Sequence, residues 1–190
     1  GVVGIIGTWN APLFTLLAPL ASVFAAGNCA VLKPSEIVPR TAELIAHAVP
    51  EFFVSDELAV VTGGPDVAAA FSAQPWDHLV FTGATEVGKL VMKAAAANLV
   101  PVTLELGGKS PVLVSRSADI RNAAERIAVG KAQNSGQLCV APDVVWVARE
   151  QVEAFVGALR EFYEGLFPSI AANPDVTPAV NERHFARVES

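Results

Sequence analysis

The sequence predicts an α/β domain built on a doubly wound parallel sheet, from three observations. Short β-branched runs alternate with longer Ala- and Leu-rich stretches of helical spacing. The runs are almost continuously apolar, as befits strands covered on both faces. Glycine and proline punctuate the joints. The strand runs fall at residues 2–6, 29–32, 59–62, 78–82 and 102–106, and the helical stretches at 12–26, 39–53, 65–73 and 85–97. Pro39 and Pro65 stand where the first turn of a helix tolerates proline. Gly63-Gly64 and Gly107-Gly108 mark strand ends. Right-handed crossovers between such strands bring the ligand-binding loops to the carboxyl edge of the sheet.

After Gly108 the alternation changes character. A short run at 111–114 precedes a helix over 118–133, a strand at 144–147 and a helix at 151–162. This places a domain change near Gly107, giving residues 1–106 and 107–190 as separate domains. The tail, 167–190, is rich in proline and polar residues and shows no evident terminating element.

Composition narrows the function classes. With 52% hydrophobic and 17% charged residues, the 190-residue chain can bury a sizeable core and is not disordered. A net charge of −6 argues against nucleic acid as partner, because phosphate binding needs a basic face. Cys29 and Cys139 lie far apart, as do His47, His78 and His184, so no metal-ligand spacing occurs and no metal is expected. A reducing, cytoplasmic setting suits two isolated thiols. The apolar stretch from Pro12 to Gly27 invites a membrane or signal reading. It lacks a basic flank, carries Pro19 inside, and falls short of the roughly 20 apolar residues a span requires. A buried helix between buried strands explains it.

Four places carry chemistry. The turn Phe81-Thr-Gly-Ala-Thr-Glu-Val-Gly-Lys89 joins a strand to a helix, where backbone N–H groups favour phosphate. Its spacing nearly matches a nucleoside-triphosphate loop, but Leu90 stands where a magnesium-binding hydroxyl is needed, and the dinucleotide fingerprint lacks its middle glycine. Glycine as simple punctuation explains the turn equally well. Lys33, Ser35 and Glu36 end a buried strand with a cation, a turn and a carboxylate, which can serve a ribose diol. Taken alone, Ser35 and Glu36 read more readily as the start of a helix. Cys139 lies among turn residues, where a thiol can reach substrate, whereas Cys29 lies inside a strand and reads as packing. Glu105 is a lone carboxylate in the run Val102-Thr-Leu-Glu-Leu106, expected at the end of a central strand and therefore paired or functional.

Together these motifs form a pattern. Gly7-Thr-Trp-Asn10, Leu32-Lys-Pro-Ser-Glu36, Phe81-Thr-Gly83, Leu104-Glu-Leu-Gly-Gly-Lys-Ser-Pro111 and Asn134-Ser-Gly-Gln-Leu-Cys139 resemble the aldehyde dehydrogenase superfamily. The fit is closest to its class 3 and coniferyl-aldehyde branches. The resemblance runs the length of the chain, and the 34 residues from Glu105 to Cys139 fit the family's spacing.

The resemblance implies a Rossmann-like cofactor domain followed by the beginning of an α/β catalytic domain. It implies NAD- or NADP-dependent oxidation of an aldehyde, in the aromatic or medium-chain class with coniferyl aldehyde as one candidate. Cys139 would be the nucleophile, Glu105 the general base for hydrolysis, and Asn10 a donor to the oxyanion. Thr8, Trp9, Lys33, Ser35 and Glu36 would line the cofactor site. Gly83, Ala84, Thr85, Glu86, Val87 and Gly88 would form its pyrophosphate turn. The resemblance further implies a homo-oligomeric parent, with a helical portion before this segment. After it would come the rest of the catalytic domain, including a Glu-x-Phe-Gly-Pro motif not present in these residues. Two positions depart from the pattern. Ala84 stands where many members have serine, and Ala11 replaces an aromatic residue after Trp9-Asn10. Two rival classes remain at this point: a nucleoside-triphosphate enzyme, opposed by Leu90, and a catalytically dead homologue, opposed by intact Cys139, Glu105 and Asn10.

Overall fold

Because their apolar side chains alternate above and below the backbone plane, five short strands can bury both faces of one sheet. They are β1 (Val2–Ile6), β2 (Cys29–Lys33), β3 (Leu58–Val60), β4 (His78–Gly83) and β5 (Val102–Leu106). The computed structural model describes residues 1–171 and 173–189. All four pairings are parallel and the order is β3-β2-β1-β4-β5. Between the strands run α1 (Phe14–Ala25), α2 (Pro39–Phe52), α3 (Pro65–Ser72) and α4 (Thr85–Ala96). The doubly wound parallel sheet expected from the sequence is present.

Two layers cover the sheet. Val3, Ile5, Leu32 and Leu58 pack with Leu16 and Leu20 of α1 and with Ile45 and Val49 of α2. On the other face, Ile6, Leu79 and Phe81 pack with Phe71 of α3 and with Val91 and Ala95 of α4. The period of two along β1 sends Val3 and Ile5 to one layer and Ile6 to the other. Full burial of one such aliphatic side chain contributes about 1.5–3 kcal/mol.

The chain divides at Gly107/Gly108, one residue beyond the boundary expected. In the second unit β6 (Val112–Leu113) and β7 (Val145–Trp146) pair in parallel. Against them lie α5 (Ile120–Ala132) and α6 (Val152–Leu166), around a core of Val114, Ala124, Ile127, Phe155 and Ala158. Asp119 caps α5 by accepting from Asn122 N at 3.0 Å.

Three expectations are corrected. The tail does carry a further element, α7 (Glu182–Glu189). Asn181 opens it, its Oδ1 accepting from His184 N at 2.9 Å, with Glu182 in the first turn and Arg187 in the last. A polar composition hid a well-signalled helix start; residues 172 and 190 of that tail lie outside the described residues. Helix α1 is not buried all round, because Phe14 and Leu17 on its outer side are exposed. One sheet can cover only one side of a helix. Finally, β5 is an edge strand of the sheet rather than a central one. Among the described residues no helix is long and apolar enough to cross a membrane.

Gly4 gives the fold a sharp test. A Cβ there would sit 2.9 Å from ring atoms of both Phe71 and Trp76. Those rings stack with centroids 4.7 Å apart, and Trp76 Nε1 donates to Phe71 O at 2.8 Å, so neither yields easily. Gly4→Ala should therefore cost about 1–3 kcal/mol by overpacking. A urea titration followed by tryptophan fluorescence should show a lower midpoint with an unchanged slope.

Candidate active site

Parallel pairing brings every loop that follows a strand to the same edge. Ile6 of β1 is level with Lys33 of β2 and Phe81 of β4, so the segments beyond these residues emerge side by side. Neighbouring strands lie about 4.8 Å apart. Three segments that carry expected site residues are thus brought together: Thr8-Trp9-Asn10 after β1, Lys33-Pro-Ser-Glu36 at the end of β2, and Gly83 to Val87 from the last residue of β4 onward. The strand order changes direction between β1 and β4, the crevice where such sheets bind ligands.

Lys33 is the most distinctive of these residues. It is only 1% exposed, yet its Nζ donates to Pro34 O at 3.2 Å and to Glu36 Oε2 at 3.4 Å. Glu36 is itself half-exposed and presents a carboxylate at the surface. Two acceptors reduce the cost of burying the ammonium and leave one of its three donors for a ligand. Ser35 Oγ accepts from Ile37 N at 3.3 Å, fixing the turn that follows. After β1, Thr8 N donates to Thr15 Oγ1 at 3.1 Å, tying this loop to α1. Trp9 and Asn10 are half-buried beside it.

In the glycine-containing turn, Ala84 is the N-cap of α4 and supplies no side-chain cap, so no cap side chain claims the N–H groups of Thr85, Glu86 and Val87. Glu86 is exposed and pairs with Lys89 at 2.7 Å. Gly88 has a different position from the rest of its segment. It is buried, and a Cβ there would approach Leu106 Cδ2 at 2.8 Å. Its evident contribution is to let α4 lie close on the sheet, the third role of glycine in dinucleotide-binding turns.

Glu105 is exposed, which corrects the expectation of a buried carboxylate. The alternation of β5 turns Val102, Leu104 and Leu106 to the α3–α4 layer and Thr103 and Glu105 away from it. Thr103 and Glu105 are both exposed on that second face, so the carboxylate is open to water.

Cys139 is exposed and unoxidised, whereas Cys29 is half-buried in β2. The thiol follows an unusual turn. Asn134 (φ 49°), Ser135 (φ 52°) and Gly136 (φ 74°) are three successive left-handed residues after the end of α5. For the two non-glycine residues this conformation costs about 1–2 kcal/mol each and has to be held by its surroundings. Ser110 Oγ donates to Cys139 O at 3.0 Å, and Asp143 N donates to Ser110 O at 3.3 Å. Lys109 and Lys131 both pair with Asp143. The hydrogen-bonded Lys109 ammonium, aided by Lys131, holds the Asp143 carboxyl below the ordinary carboxylate value despite some desolvation. Ser110 lies in the segment Leu104–Pro111, yet only tertiary structure reveals its contact with the cysteine. Glu105 and Asn10 belong to the first unit and Cys139 to the second. Among the described residues no group of His, Cys, Asp or Glu could hold a metal.

The first unit is thus a doubly wound α/β domain whose strand-following loops gather at one edge, and the second carries an exposed cysteine after a braced left-handed turn. The comparisons are specific. The profile of the aldehyde dehydrogenase family matches residues 1–190, and the chain belongs to that family. It is 52% identical over 188 residues to a coniferyl aldehyde dehydrogenase from Pseudomonas sp. (strain HR199 / DSM 7063), covering 99% of this chain and 39% of that relative. The substrate-bound state of Staphylococcus aureus AldH superposes with a TM-score of 0.93 at 40% identity, over 99% of this chain and 41% of that one. A Mycobacterium tuberculosis aldehyde dehydrogenase complexed with NAD+ superposes with a TM-score of 0.86 at 33% identity, over 100% of this chain and 40% of that one. The chain thus spans about two fifths of the length of these relatives.

The contrast between the cysteines can be checked directly. In the folded full-length gene product, limiting iodoacetamide should label Cys139 well before Cys29, as peptide mass spectrometry reports. Equal labelling would contradict the difference in exposure.

Proposed function

We propose that this chain belongs to an enzyme that oxidises an aldehyde to its carboxylic acid with NAD or NADP, using Cys139 as nucleophile. The observation that carries the reading is an exposed thiol on a strained, braced turn in a chain that matches the aldehyde dehydrogenase family throughout. On this reading residues 1–106 form the cofactor domain and residues 107–190 part of the catalytic domain.

The cofactor fits the residues present. Lys33 and Glu36 would hold the adenosine ribose, with Ser35 setting the turn between them. Thr8 and Trp9 would line the same pocket. The first turn of α4, from Gly83 and Ala84 to Val87, would receive the pyrophosphate on its uncapped N–H groups. Ala84 offers no hydroxyl, so backbone donors carry this contact, and Gly88 supports it through packing. Bound nicotinamide supplies the hydride acceptor.

The chain's own residues account for the rest. The Cys139 thiolate adds to the aldehyde carbon, forming a C–S bond and an oxyanion. The Asn10 side-chain amide and the Cys139 N–H donate to that oxyanion; losing one such donor typically costs about 10²–10³ in rate. Departure of hydride leaves a thioester on Cys139. Glu105 takes a proton from water, whose oxygen attacks the thioester and releases the acid and the thiolate.

For the substrate we favour aromatic aldehydes, coniferyl aldehyde included, because the 52% identical Pseudomonas protein bears that name. Ala11, in place of an aromatic residue, would widen the mouth of the site. We read the enzyme as a cytoplasmic homo-oligomer.

Two experiments on the full-length gene product test the reading. Cys139→Ala should abolish aldehyde oxidation, while Cys29→Ala retains it. Glu105→Gln should still give a burst of reduced cofactor near one equivalent per site, followed by slow turnover. Substantial oxidation by Cys139→Ala defeats the mechanism, and loss of the burst shows that Glu105 also activates the thiol. Glu36 should also favour NAD, since a carboxylate repels a 2′-phosphate. Comparable kcat/KM for NAD and NADP would show that it does not discriminate.

A further inference from the structure

The left-handed turn before Cys139 is fastened to a distant piece of chain. Gln137 Nε2 donates to Asn134 O at 3.0 Å and to Pro178 O at 3.1 Å. Its Oε1 accepts from Val180 N at 3.3 Å. One side-chain amide therefore closes the turn locally and also pairs with backbone more than 40 residues away, donating to residue 178 and accepting from residue 180. That is how a neighbouring strand would satisfy the same segment. The segment has no helix or strand of its own to hold it. Ser135 Oγ adds a further bond, donating to Thr177 O. Gln137 N also donates to Asn134 O at 3.0 Å, so the residue braces the turn through main chain and side chain together.

We propose that Gln137 is a positioning residue for the thiol: by clamping the Asn134–Gly136 turn to the backbone at 177–180, it fixes the direction of the Cys139 N–H and Sγ. The inference rests on the reading of Cys139 as nucleophile. Two residues in an unfavourable backbone region relax unless their neighbours over-determine them. Gln137 supplies that constraint immediately upstream of the cysteine, and Ser110 holds the Cys139 carbonyl downstream. With both in place the peptide between Leu138 and Cys139 is held from either side. Only a primary amide of this length serves. Glutamate at neutral pH loses the donors, methionine loses both functions, and asparagine is one methylene short.

The test uses the full-length gene product with Gln137→Met and the near-isosteric Gln137→Glu. Relaxation of reacting groups by about 1 Å lowers rate by roughly 10²-fold. Both variants should lose about ten- to a hundredfold in kcat, with KM for the cofactor unchanged and folding retained by circular dichroism. The carboxyl introduced by Gln137→Glu regains a donor when protonated. Its kcat relative to the unsubstituted protein should therefore rise as pH falls toward about 5, while that of Gln137→Met stays flat. A role in folding alone would not produce this recovery. Gln137→Glu preserves side-chain volume and keeps the measurement available should Gln137→Met fail to fold. The initial rate of iodoacetamide labelling at Cys139, with Cys29 as internal reference, should also change severalfold in both variants. Unchanged kcat and unchanged labelling in Gln137→Glu overturn the proposal. So does a loss shared equally by kcat and cofactor KM without recovery in acid. If the unsubstituted protein oxidises no aldehyde, the reading of its function fails, and the labelling rates still decide the role of Gln137.

Discussion

Parallel pairing of β1 with both β2 and β4 is the constraint on which the first unit depends. A chain leaving one parallel strand must return to the opposite end before the next can begin, so every connection is a crossover. Right-handed crossovers on both sides of β1 place α1 and α2 over one face and α3 and α4 over the other. The same constraint brings the segments after β1, β2 and β4 to a single edge. The proximity of Thr8, Lys33 and Gly83 thus follows from topology rather than from direct contacts among them. Gly4 marks how tight the arrangement is, since Phe71 and Trp76 occupy the space a methyl group would need.

Two local features at that edge are costly for the fold taken alone. Lys33 is buried at the end of β2 with two acceptors among the described residues, one of them the half-exposed Glu36. The start of α4 has alanine where a capping side chain would otherwise claim its N–H groups. Neither feature improves the isolated fold. A serine cap alone contributes typically about 1 kcal/mol, and a buried ammonium is costly without full pairing. On the proposed function, a ribose hydroxyl and a phosphate would complete both, the trade of stability for function expected at binding sites.

The second unit solves a different problem. For the nucleophile proposed at Cys139, the thiol must be exposed yet held still, and these demands conflict on an ordinary loop. Here three left-handed residues set the path of the chain, and polar bonds hold them on either side. Asp143, paired with Lys109 and Lys131, anchors the segment beyond the cysteine. The bonds come from residues far apart in sequence, so the turn is rigid only when the whole unit is folded.

The sequence by itself determined much of this protein. Alternating β-branched and helical runs gave the order and type of the first nine elements, because strand and helix periodicities are local properties of side-chain pattern. The cysteine in its glycine-containing loop, the Lys33–Glu36 segment and the five ordered motifs suffice to point to the family, since those residues are constrained by chemistry. Three matters were decided only in three dimensions. Sheet order made β5 an edge strand, and the layers packed on the sheet left the Glu105 face exposed; no local pattern encodes which neighbour a strand will have. Gly88 turned out to be a packing residue, which depends on how closely α4 approaches Leu106. The bonds that tie Gln137 to residues 178 and 180 and Ser110 to the Cys139 carbonyl join residues 29 to 43 positions apart. Hydrogen bonds of that range arise from the folded path of the chain, and nothing in the spacing of the bonded residues announces them.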